Sequence, residues 1–83
     1  MSRKILIEEV IKSTITENLF STNIEFRDLL QNNLDTYLAF ETNTIVSEIK
    51  DINGFSVGQV YFKNENDQDV VIEYTIKNQK YDI

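Results

Sequence analysis

Residues Ile52-Asn53-Gly54-Phe55, with alternating apolar and polar residues on both sides, constrain this chain more than any other stretch. Asn-Gly supplies the two positive-φ residues of a type I′ turn, whose twist matches that of the strands it joins. A hairpin centred there sets which side chains share a face, because successive strand residues point to opposite sides. Ile52 then opposes Phe55 and Lys50 opposes Val57. Carried on without interruption, the register sets Ser47 against Val60, Val46 against Tyr61 and Ile45 against Phe62.

A second turn follows at Asn64-Glu65-Asn66-Asp67-Gln68, and the next strand alternates Val70, Ile72, Tyr74 and Ile76 with Val71, Glu73, Thr75 and Lys77. If Lys63 opposes Asp69, Phe62 meets Val70, Val60 meets Ile72, and Tyr74 lies across Gly58. An aromatic ring over a strand glycine compensates for the missing side chain, and the same register pairs a Lys with an Asp. The expected core face of this meander is Ile45, Ile49, Val60, Phe62, Val70, Ile72, Tyr74 and Ile76. Its opposite face carries Val46, Phe55, Val57, Tyr61 and Val71 among polar residues.

Upstream, the apolar positions 7, 11, 15 and 19, with 6 and 10 beside them, form one face of a helix expected over Arg3–Leu19. Thr22 followed by Glu25 fits a capping box. A second helix is expected over Asn23–Asn33, with Phe26, Leu29, Leu30 and Leu34 as its apolar stripe and the Asn32-Asn33 pair weakening its end. Between Asp35 and Thr44, the alternation of Thr36, Leu38 and Phe40 with Tyr37, Ala39 and Glu41 reads as a short strand, and a continued helix is the competing reading. The fold expected is α+β, with two N-terminal helices packed on one face of a C-terminal antiparallel three- to four-stranded β-meander. If residues 35–50 form a third helix instead, three helices and a hairpin result, which resembles winged-helix DNA-binding domains in element order.

Eighty-three residues suffice for a single domain, and the last six read as a mobile tail. Five Phe, four Tyr and eleven Ile provide the bulk and branching a sheet packs with, so disorder is disfavoured. No apolar run approaches the length of a membrane span, and Glu8-Glu9 interrupts any signal-peptide core. With no Cys there is neither a disulfide framework nor a thiolate metal site, and the cytoplasm is the expected compartment. With no His, the commonest general base, metal ligand and partner of Ser nucleophiles is missing.

The remaining motifs each have an ordinary explanation. Asn64, Asn66 and Gln68 alternate with Glu65, Asp67 and Asp69 as oxygen ligands do in a calcium loop, but the glycine and the closing Glu are absent. Glu8, Glu9, Glu17, Glu25 and Asp28 carry no sign of a shared cleft and suit helix surfaces. Arg3, Lys4 and Lys12 are balanced by Glu8 and Glu9. Neither an enzyme, a metal site nor a cofactor is expected.

The net charge of −6 is concentrated in residues 64–77, which carry −3. Such a field disfavours a phosphate backbone and favours a basic protein partner. The expected function is therefore a small acidic, non-catalytic protein-binding domain, as an inhibitor, immunity factor or adaptor would be. Its Asn and Ile richness would suit a mobile element or phage. The expected contact residues are Val46, Phe55, Val57, Tyr61 and Val71, with Glu65, Asp67 and Asp69 beside them. A DNA-binding regulator and a homodimer built on the sheet are the alternatives, and no membrane association is expected.

Overall fold

The computed structural model describes residues 2–17, 22–38 and 43–77. Two helices, α1 (Arg3–Glu17) and α2 (Asn23–Leu38), precede four strand segments, β1 (Ile45–Val46), β2 (Lys50–Ile52), β3 (Phe55–Lys63) and β4 (Asp69–Lys77). The architecture is the expected α+β arrangement. The tail 78–83, Leu19 and Phe40 lie outside the described residues.

Both helices begin on side-chain caps. Ser2 Oγ accepts the Ile5 N–H at 3.2 Å, and Thr22 Oγ1 accepts the Glu25 N–H at 3.1 Å, as the capping-box spacing predicts. α2 does not stop at Asn33. The row Phe26, Leu30, Leu34 and Leu38 repeats every fourth residue and all four are buried, so the apolar face carries the helix on. Asn33 contributes to that packing, because its Nδ2 donates to Thr14 Oγ1 at 2.9 Å. Thr14 is itself fully buried where α1 meets α2, and its hydroxyl donates to the Val10 carbonyl at 2.8 Å. The strand reading of residues 36–38 is thus corrected. Leu38, which the alternation with Thr36 and Phe40 assigned to a strand, also stands four residues after Leu34, and in the structure Leu34 with Leu38 is the helical i, i+4 pair that packs.

The third helix of the winged-helix alternative is not found among the described residues. Residues 35–38 end α2, while 45–46 and 50–52 are strand.

β3 is the central strand. β4 pairs with it along its whole length, from Phe55↔Lys77 to Lys63↔Asp69, in the expected register. On its other side β3 pairs first with β2 across the Asn53-Gly54 turn, where both residues have positive φ (50° and 83°), and then with β1. The β2 pairing is also as expected, but the β1 pairing is displaced by one residue: Ile45 opposes Tyr61 and Val46 opposes Val60. Ser47 N–H donates to the Gln59 carbonyl at 2.8 Å, and Lys50 opposes Val57. Glu48 and Ile49 together therefore stand opposite Gly58, a two-against-one β-bulge.

The bulge has a plain energetic cause. In an uninterrupted register Ser47 would bring its hydroxyl against Val60 in the core; the displaced one brings Val46 there, 1 % exposed. Ser47 Oγ instead accepts the Gln59 N–H at 2.9 Å. Ile45 and Val46 consequently exchange the roles expected of them: Val46 belongs to the core and Ile45 faces out, 61 % exposed.

One core lies between the helices and the sheet, built from Ile7, Ile11, Phe26, Leu30, Leu34 and Leu38 against Val46, Val60, Phe62, Ile72 and Tyr74. Ile49, Val70 and Ile76 are half-buried at its margin. Tyr74 covers Gly58 as expected, and its ring is tilted at 51° against Phe26 with centroids 5.7 Å apart. Its hydroxyl is buried with no partner among the described residues.

Burial pushes the Tyr74 phenol up to about 12, against a slight lowering by the Arg27 charge. The folded form thus holds this proton after the unfolded chain has lost it near pH 10. Tyr74 accordingly contributes stability that is full below pH 10 and lost as the pH rises through about 12. Tyr74→Phe should flatten the alkaline fall in chemical-denaturation stability across that window and leave stability at neutral pH unchanged or slightly raised, because an unpaired buried hydroxyl is removed. An alkaline slope identical to the parent's would contradict this role.

Candidate functional site

Strands β1, β3 and β4 meet at one end of the solvent face of the sheet. The displacement at the bulge sets Ile45 opposite Tyr61, and the β3–β4 register sets Tyr61 opposite Val71. The result is an apolar row running across all three strands, with its members 61 %, 42 % and 50 % exposed in strand order. At the far end of the face, Ile52 and Phe55 form a second exposed apolar pair beside the Asn53-Gly54 turn, with Val57 half-buried next to them. Polar residues separate the two groups. Gln59 opposes Glu73, and the Tyr61 hydroxyl donates to Gln59 Oε1.

Beside the Ile45–Tyr61–Val71 row a groove of about 610 Å³ opens toward the acidic turn, bordered by Glu65, Asp67 and Asp69. The turn is well organised. Asn64 Oδ1 accepts the N–H groups of Asn66 and Gln68 at 2.9 and 3.0 Å, and Asn64 Nδ2 donates to Gln68 Oε1 at 3.0 Å. Asp67 adopts a positive φ of 61° that closes the loop. The side-chain oxygens that resembled a calcium pattern are thus engaged, in part, in forming the turn. Among the described residues no three carboxylates gather closely enough to hold a metal ion.

Cations at the base of the turn partly offset its charge. Arg3 donates from its main-chain N–H to Glu65 Oε1 and from Nη1 to the carbonyls of Lys63 and Asn64 at 3.0 and 2.8 Å. Those contacts pin the start of α1 to the turn. The Arg3 N–H bond holds the Glu65 carboxyl below its ordinary range. Lys63 Nζ meets Asp69 Oδ1 at 3.0 Å, and that bond with the Asp69 charge raises the ammonium above its ordinary value. Both groups are solvent-exposed, so the pair adds direction rather than much stability. Arg3 therefore serves the turn instead of a basic patch with Lys4 and Lys12.

Of the residues expected at a contact surface, Tyr61, Val71, Glu65, Asp67 and Asp69 come together around one groove. Phe55 and Val57 lie at the other end of the face, and Val46 lies beneath it in the core. The exposed apolar residue that the sequence reading assigned to the core is Ile45. Ser47 carried the signal for it, because an uninterrupted register buried a hydroxyl that a one-residue displacement exposes.

Among the described residues no helix is long and apolar enough to cross a membrane. Comparison with protein-family models, with curated proteins and with solved structures finds none that matches this chain.

Proposed function

We propose that this chain is a non-catalytic binding domain that grips another protein through the Ile45–Tyr61–Val71 row, with the acidic turn steering a basic rim of the partner toward it. The row itself carries the reading: three large apolar side chains stand exposed and in register on the sheet face that the helices leave uncovered. An aromatic flanked by aliphatic residues is the composition of an energetic centre in many interfaces, and charge around it sets approach and orientation more than affinity. The −3 carried by residues 64–77 supports a partner of opposite sign.

Immobilised wild-type protein should retain one partner in stoichiometric amount from a lysate of its source. A Tyr61→Ser/Val71→Ser double variant should lose it by 30-fold or more if the row is worth about 2 kcal/mol of binding. Both substitutions lie on the solvent face, so the circular dichroism spectrum should be unchanged. Equal retention by variant and parent would remove the row from consideration, and retention of nothing by either would defeat the binding reading itself.

A further inference from the structure

The two edges of this sheet are built on opposite plans. The β1–β2 edge is broken into two short segments by the bulge, and its β1 part is occupied by a side chain. Gln31 of α2 donates Nε2–H to the Thr44 carbonyl at 2.9 Å and accepts the Val46 N–H on Oε1 at 2.9 Å. Its amide thus stands where the next strand's peptide would stand. Short segments, bulges and covering groups are the usual means of keeping a sheet edge from pairing.

β4 has none of these. It runs nine residues without a bulge or a proline, and among the described residues nothing pairs with its outer side. The phase of its hydrogen bonds follows from those that β3 makes on its two sides. Gln59 bonds toward β1 and Asn64 N–H bonds to the Gln68 carbonyl at 3.0 Å, so the even-numbered residues of β3 and β4 bond to each other. The main-chain groups of Val71, Glu73 and Thr75 therefore point to the open side.

We propose that β4 pairs in antiparallel fashion with β4 of a second copy of this chain, joining two sheets across a two-fold axis at Glu73. The strand's own sequence argues for a second copy as the occupant. In full overlap Asp69 meets Lys77 of the other copy at both ends, oppositely charged pairs on the solvent face. On the helix-covered face Val70 meets Ile76, which are two of the half-buried residues at the core margin, and Ile72 meets Tyr74. Such self-complementarity is what a two-fold interface requires, since one patch must serve both sides. The cost is Glu73 facing its own copy, a like-charge pair at the axis. The pairing uses the main chain of β4, whereas the row offers side chains, and Tyr61 lies on β3 away from the edge; Tyr61→Ser should therefore leave the dimer intact, and failure of either reading is distinguishable from failure of the other.

Sedimentation velocity over a wide concentration range should show wild-type protein passing from monomer to dimer. Thr75→Pro removes an N–H that β3 does not use and should remain monomeric throughout with an unchanged circular dichroism spectrum. Glu73→Gln should lower the dimer dissociation constant by roughly two- to five-fold, the like-charge cost converted to a ratio. Amide exchange gives a reading without substitution: protection at Val71, Glu73 and Thr75 should rise with concentration while Ile72 and Tyr74 stay protected at all concentrations. A wild-type chain monomeric at millimolar concentration, concentration-independent exchange at those three amides, a dimeric Thr75→Pro, or a Glu73→Gln dimer weaker than wild type would each overturn the proposal.

Discussion

Gly58→Ala should destabilise the fold by about 3 kcal/mol, toward the upper end of what overpacking costs. A Cβ at position 58 would lie 2.3 Å from the Tyr74 hydroxyl oxygen and 2.4 Å from the ring carbon that bears it. A flexible side chain would swing away. Tyr74 cannot do so cheaply, because it is buried and its ring leans on Phe26, itself fully enclosed between helix and sheet. A chain of 83 residues is expected to be stable by only about 4–12 kcal/mol, so the loss is a large fraction of the whole. At about 4–8 °C per kcal/mol for a domain of this size, the melting temperature should fall by 12 °C or more.

The cause is separable from the ordinary weakening of a strand by a changed residue, since Ala favours strand conformation at least as well as Gly. Tyr74→Leu alone should also destabilise, by loss of the ring. In the double variant Gly58→Ala/Tyr74→Leu the added methyl no longer meets the ring, and the combined loss should fall short of the sum of the single losses by at least about 1 kcal/mol. Thermal or urea denaturation of the four proteins measures that coupling. Strict additivity would mean that the ring does not sense position 58.

The Gly58–Tyr74 contact also marks how far the sequence was legible. It followed from pairing Lys63 with Asp69, and every β3–β4 partner followed with it. Strong turn chemistry at Asn53-Gly54 and strict alternation in Val70–Ile76 left no competing register. The caps were legible for a similar reason, because Thr22 and Glu25 act within one turn of chain. The errors arose where two periods overlapped or where the deciding partner was remote. Leu38 satisfies both a strand alternation with Thr36 and a helical row with Leu34, and it is packing of Leu38 into the core that chooses the helix. Ile45 and Val46 satisfy either face of a strand, and the side chain that bears on the choice, Gln31, lies on a helix. Exposure expected from sequence is therefore found at Tyr61 and Val71, which the local register fixes, and not at Val46, which is buried.

Gln31→Leu should consequently do more than destabilise. It should loosen the register of β1 and with it the apolar row. The Gln31 amide fixes two buried residues at β1, accepting from the N–H of Val46 in the strand and donating to the carbonyl of Thr44 just before it, while Nε2 also reaches Asp35 Oδ1 at 3.0 Å. Leucine keeps the helix propensity and most of the volume but leaves the Val46 N–H and the Thr44 carbonyl unanswered, at a cost of about 2–4 kcal/mol for the two. Movement of β1 by one residue would offer those groups other partners at the expense of turning Val46 outward and Ile45 inward. Because the chain contains no Cys, a single thiol reports each side. With Gln31 present, Ile45→Cys should react quickly with an alkylating reagent and Val46→Cys slowly, in proportion to their exposure of 61 % and 1 %. With Gln31→Leu the ratio of the two rates should shrink by tenfold or more. Unchanged rates would show that the Ser47 bulge and the core hold β1 unaided, and that the row presenting Ile45 owes nothing to α2.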